Sequence, residues 1–140
     1  MSNSWLFWSL LSALFAGATA VLAKVGVTGV DSNLATAIRT TVILVFAWAI
    51  ALVTARPGAL ATLGSRTWVF LALSGIATGF SWLCYFRALQ LGPASQVAPI
   101  DKLSVVFVAL FAAAFLGEAL QLRNWIGIAL IAAGAIMVAL

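Results

Sequence analysis

The sequence predicts an all-α integral membrane protein of five transmembrane helices, and three observations carry that expectation. Of the 140 residues, 65% are hydrophobic and 7% charged, where a soluble domain sets roughly half apolar against about a quarter charged. Five stretches each supply the ~20 apolar residues that a helix needs to cross a hydrocarbon layer about 30 Å thick. Gly, Pro and charged residues gather between them. Lipid offers backbone groups no partner, so helices are the economical way across.

The whole chain, 1–140, reads as one membrane domain with helices at about 4–24, 34–54, 67–91, 95–116 and 123–140. The first begins without a preceding Lys or Arg, so it is expected to be a retained membrane helix rather than a secretory signal. Gly26, Gly29 and Asp31 make the following loop, and Asp31 or Ser32 is placed to cap the second helix. Arg56, Pro57 and Gly58 end that helix. The segment to Ser65 is the longest loop, partly a surface-lying turn. Gly92 and Pro93 connect the third helix tightly to the fourth, and Gly117 to Leu122 turns into the fifth. No soluble domain is expected at either end.

Orientation follows from the basic residues. The loops on the N-terminal side hold Arg56, Arg66 and Arg123, while Lys24, Arg39 and Arg87 sit in helix ends on the other side. A strict count puts the N-terminus in the cytoplasm; a generous one nearly balances the sides, which permits insertion both ways. Trp5, Trp8, Trp68 and Trp125 fall where an interfacial belt on the N-terminal side requires them.

Small residues let helices approach in lipid. Gly75 and Gly79, Ala13 with Gly17, and Ala16 with Ala20 are spaced for packing within the chain. Gly127 and Gly134 in the last helix give a stripe suited to another subunit.

The stretch from Leu91 to Glu118, LGPASQVAPIDKLSVVFVALFAAAFLGE, holds the chemistry. An apolar run from Leu103 to Gly117 follows directly on Pro99, Asp101 and Lys102, and ionisable groups within a span are costly enough to mark function. Adjacent residues on a helix point about 100° apart, so Asp101 and Lys102 are each expected to find a partner elsewhere. For Asp101 the candidates are Arg87 and Lys24. Pro99 either opens the fourth helix or kinks it and frees the Ser95 carbonyl beside Gln96. In the third helix Ser81, Trp82, Tyr85, Arg87 and Gln90 lie close together, and Trp82 suits stacking on a planar or cationic ligand. Lys24 and Arg39 flank the first connecting loop, where snorkelling is the alternative to substrate contact.

The same composition argues against other classes. There is no histidine, and the acids are scattered, so neither a metal cluster nor a His-based catalytic centre is expected. No GxSxG or phosphate-cradling glycine loop occurs, so the protein is not expected to be an enzyme and needs no cofactor. The net charge of +4 forms no basic face for nucleic acid. Cys84 is alone and reads as packing.

The residues YFRALQLGPASQVAPIDKLSVVFVALFAAAFLGE followed by WIGIALIAAGAIMVAL, with FAGATAVLAKVGV and TAIRTTVIL earlier, resemble the repeat unit of the EamA branch of the drug/metabolite transporter superfamily. The likeness covers nearly the whole chain. Most members carry two five-helix units and export amino acids or other small metabolites. The resemblance thus implies half of a ten-helix inverted-repeat transporter, a short single-repeat member in which Asp101, Lys102 and Leu103 replace the more frequent LSP-like sequence. The last helix also resembles the dimerising helix of the small multidrug-resistance relatives. Those relatives keep an essential acid in the first helix; this chain has none there.

A unit of five helices inserts oppositely to its neighbour in a fused pair, so a lone unit needs an inverted twin. The expectation is an antiparallel homodimer in the inner (plasma) membrane, with Gly127 and Gly134 at its interface; a parallel dimer or heterodimer stays open. Substrate is expected in a midplane cavity lined by the first, third and fourth helices, with Lys24, Arg39, Trp82, Tyr85, Arg87, Gln96, Asp101 and Lys102 as its polar lining, and to leave by alternating access. Basic residues with one acid suit a zwitterion or anion better than a lipophilic cation. The alternatives are a non-transport membrane subunit that stabilises a complex and a component of a lipid-linked sugar flippase.

Overall fold

The computed structural model describes residues 4–56 and 58–140. Its elements are α1 (Ser4–Gly26), α2 (Ser32–Thr54), a 3-10 turn (Ala59–Thr62), α3 (Ser65–Leu91), α4 (Ala94–Asp101), α5 (Ser104–Phe111), a π-turn (Ala112–Leu116) and α6 (Leu122–Ala139). Among the described residues five spans, with Ala94–Leu116 counted as one, are long and apolar enough to cross a membrane. The protein is an all-helical, multi-pass membrane protein.

Local chemistry explains the boundaries. Asp31 Oδ1 accepts from the backbone N–H groups of Asn33 at 2.9 Å and Leu34 at 3.0 Å, which satisfies two of the donors that a helix start leaves open. Gly58 stands at φ 78° immediately before the 3-10 turn, a conformation that only glycine adopts at no cost. Several hydroxyls inside the spans are satisfied locally: those of Thr36, Thr40 and Thr54 donate to the carbonyls of Ser32, Thr36 and Ile50, so these do not confront lipid unpaired.

The fourth span is not one regular helix. Pro99 lies inside α4, so the helix starts ahead of it and Pro99 gives no N–H to the Ser95 carbonyl. Past Pro99 the ladder tightens, with Lys102 N–H donating to Pro99 O at 3.0 Å, Leu103 N–H to Ile100 O at 2.9 Å, and Val105 N–H to Lys102 O at 3.0 Å. These are three-residue closures, and helical pairing lapses at Lys102 and Leu103. The span ends in the π-turn, where Gly117 at φ 65° and Glu118 N–H, donating to Ala112 O at 3.2 Å, close the last turn.

The chain forms two compact units, one comprising Gly26–Gln90 and the other the chain up to Val25 with Leu91–Leu140. In the first, Val27, Ser32, Thr36, Phe86 and Leu89 are buried. In the second, α4 and α5 pack against α6, and the buried residues are Ala20, Ala109, Ala112 and Ala135, small side chains that allow close helix approach. Most large apolar residues stay outside: Val53 is 86% and Phe115 81% exposed. Such a surface is untenable in water and ordinary in lipid.

The glycines behave differently from the packing expectation. A Cβ built at Gly17, Gly75 or Gly79 would meet nothing within 4 Å, so these small residues do not bring helices together among the described residues. Alanines do that work instead.

Candidate functional site

Two polar places lie within the spans, one in each unit. In the first unit the Arg39 guanidinium stands over the Trp82 ring, 4.4 Å from its centroid, and 5.4 Å from that of Phe86. Attraction to the ring quadrupole and a stacked planar fit hold it there. Arg39 is half-buried, as are Trp82 and Tyr85. Nearer the C-terminal end of α3, Arg87 Nη1 donates to Gln90 Oε1 at 3.0 Å, and Gln90 Nε2 donates to the Val30 carbonyl. The end of α3 is thereby tied to the turn that precedes α2.

In the second unit Lys102 Nζ lies 3.3 Å from Asp101 Oδ2, the two side chains being 60% and 37% exposed. This departs from the expectation that each finds a partner elsewhere. The rule of 100° per residue holds for a continuing α-helix, and here the helix lapses at Lys102, which lets the ammonium swing back to its neighbour. Nor does Asp101 pair with Lys24, whose Nζ donates to the Gly92 carbonyl at 2.8 Å. That bond ties the end of α1 to the turn before α4 and caps a carbonyl with a cation. Gln96 is half-buried on α4.

The structure thus brings Arg39 to Trp82, Arg87 to Gln90 and Asp101 to Lys102, and commits Lys24 to the backbone. Sequence reading placed Gln90 beside Arg87 but passed over Phe86 and the Gly92 carbonyl. Phe86 is four residues from Trp82 and so on the same helix face, a signal available in the sequence; the Val30 and Gly92 carbonyls carry none. A cavity of about 440 Å3 lies where α2 runs into the 3-10 turn, lined by Trp48, Leu52, Arg56 and Leu60 among others, and it holds none of the expected site residues.

The last helix has two faces. Trp125, Ile128, Ala132, Ala135 and Ala139 are buried or half-buried and follow helical spacing, the side used within the chain. Gly127 and Gly134 lie about 100° from that row, and a Cβ at either would meet nothing within 4 Å.

Comparison with known proteins adds the following. The EamA-like transporter family matches residues 3–140. A protein of Sinorhizobium sp, described as an uncharacterized transporter in cobO 3'region, is 59% identical over 139 residues, covering 99% of each chain. The probable 4-amino-4-deoxy-L-arabinose-phosphoundecaprenol flippase subunit ArnE of Yersinia pestis (strain Pestoides F), and that of Yersinia pseudotuberculosis (strain YPIII), are each 35% identical over 68 residues, 49% of this chain and 60% of theirs. No solved structure matches.

Proposed function

Because the chain belongs to the EamA-like transporter family, we propose that this membrane transporter exports small polar metabolites by alternating access, as a dimer whose two chains are the moving halves. The observation that carries this reading is the lapse of the fourth span at Lys102 and Leu103, just past Pro99, with the Asp101–Lys102 pair upon it. Transporters place their sites at discontinuous helices, because irregular backbone and charges inside a membrane are tolerable only where they line a cavity. By helix rise, Asp101 is roughly 10 Å below the start of α4, well within the hydrocarbon layer. Of the expected lining, Gln96, Asp101 and Lys102 belong to this span, and Arg39, Trp82, Tyr85 and Arg87 to the other unit. Lys24 serves the turn at Gly92.

The dimer is proposed to form through α6, where Gly134 is exposed and Gly127 half-buried, with free space at the Cβ position of each. An antiparallel homodimer supplies the inverted twin of a five-helix unit. Single-cysteine labelling at the C-terminus from each side of sealed vesicles, in a Cys84→Ala background, is expected to find both faces; labelling from one face alone rejects the antiparallel homodimer.

Counterflow in proteoliposomes tests transport itself. Asp101→Asn is expected to lower it by about tenfold or more, equivalent to ~1.4 kcal/mol, with the dimer intact. Wild-type rates in that variant would remove Asp101 from the mechanism.

The resemblance to ArnE favours a second reading, a component of a lipid-linked sugar flippase. Movement of a fluorescent lipid-linked sugar between leaflets, with no uptake of soluble solutes, would support that reading in place of the first.

A further inference from the structure

Arg39, within the second span, has no counter-charge among the described residues. Lys102 has Asp101 at 3.3 Å, Lys24 has the Gly92 carbonyl and Arg87 has Gln90. Arg39 stands against the rings of Trp82 and Phe86, with Tyr85 as a further electrostatic neighbour, and no ion pair to its guanidinium is found among the described residues. A guanidinium presents its donors in the plane of the group. Rings that cover its faces do not cover the edge, where its fork lies.

Its level within the span argues against snorkelling as the reason for such an arginine. Gln90 bonds to the Val30 carbonyl, which holds the end of α3 level with the turn before α2. At 1.5 Å per residue Trp82 then lies roughly 12 Å below Gln90, and Arg39 roughly 10 Å below Ser32. A side chain that reaches up to head groups would leave this level. Arg39 instead extends across to Trp82, at about its own depth, inside the hydrocarbon zone. Burying a guanidinium there without a counter-charge is expensive, so the arrangement is complete only when something brings one.

We propose that the open edge of the Arg39 guanidinium binds the oxyanion, carboxylate or phosphate, of the transported molecule, with Trp82 and Phe86 as the platform that fixes the fork. Two parallel N–H···O bonds match either group in shape and charge. The inference rests on the transport reading and narrows its substrates to molecules that bear such a group. The anion belongs either to a free solute or to a lipid headgroup, and the chemistry at Arg39 is the same for both.

The experiment uses the full chain in phosphatidylcholine nanodiscs and follows its thermal midpoint, which rises when a ligand binds the folded form. Inorganic phosphate and acetate are titrated at constant ionic strength against chloride, and in a parallel arm part of the phosphatidylcholine is replaced by phosphatidic acid. The expected result is a saturable rise with at least one probe. Arg39→Gln abolishes it, Arg39→Lys weakens the apparent affinity by about tenfold or more because the charge stays and the fork is lost, and Arg66→Gln leaves it intact. Arg66, over Phe70 at 5.7 Å, is the control for loss of a stacked cation. A response to phosphate or acetate identifies a free solute, and a response to phosphatidic acid alone identifies a headgroup. Equal responses in wild type and Arg39→Gln, or none in wild type to any probe, overturn the proposal. Should Arg39→Gln fail to fold, judged by elution and helical content, Arg39→Lys decides with the same outcomes. Counterflow on the same preparations separates the two ideas: binding without transport sinks the transport reading alone, and transport without any Arg39-dependent binding sinks this one alone.

Discussion

Gly134→Leu separates what α6 does within one chain from what it does with a second. Within the chain the replacement has room, since a Cβ at Gly134 meets nothing within 4 Å, and the neighbouring Ala135 already provides the contact with the rest of its unit. A glycine inside a helix costs about 0.5–1 kcal/mol relative to alanine, so the monomer gains stability or stays neutral. If two chains meet through this face, the opposite holds at the interface. A leucine forced into a close helix crossing costs typically about 1–3 kcal/mol of overpacking, which weakens the dimer roughly 5- to 150-fold at ~1.4 kcal/mol per decade. Gly127→Leu is expected to behave in the same way, because it lies seven residues away on the same face. The assay is a dilution series in detergent or lipid, with donor- and acceptor-labelled chains reporting association by energy transfer, beside thermal unfolding of the monomer at high dilution. A dimer constant unchanged in both variants, with the monomer no less stable, would refute an α6 interface. Equal loss of monomer stability and of dimer would refute the claim that this face is open.

Two further outcomes test the local reading of the helix ends. Gly117→Ala is expected to cost about 1–2 kcal/mol, because an L side chain at its φ of 65° is strained, while the space around it is empty; thermal unfolding in detergent measures this, and a neutral result would mean that the π-turn has relaxed. Asp31→Ala removes the acceptor for Asn33 and Leu34 and is expected to cost about 1 kcal/mol. The loss should appear as faster hydrogen exchange confined to the first turn of α2, and unchanged exchange there would deny the cap its role.

Different parts of this molecule were legible to different degrees. The spans were plain, because the ~20-residue apolar run that a bilayer demands is a property of consecutive residues. So was the Asp31 cap, whose acceptor lies within three residues of the donors it serves. Pro99 left two alternatives, and the choice depended on whether Ala94 to Ala98 could pair ahead of it. The partners of the charges were misjudged for Asp101, because the inference assumed an unbroken helix, and the packing glycines of α3 turned out to face open space.

What the amino-acid order determined by itself is that this chain lives in lipid as five helices, since hydropathy and end chemistry are local and additive along the chain. Only the tertiary structure decided where its charges go. Arg39 found Trp82, and Gln90 found Val30, because packing brought together residues far apart in the chain; a short tightening after Pro99 turned Lys102 back onto Asp101. Partnership inside a membrane depends on depth and angle, and those exist only once the helices have met.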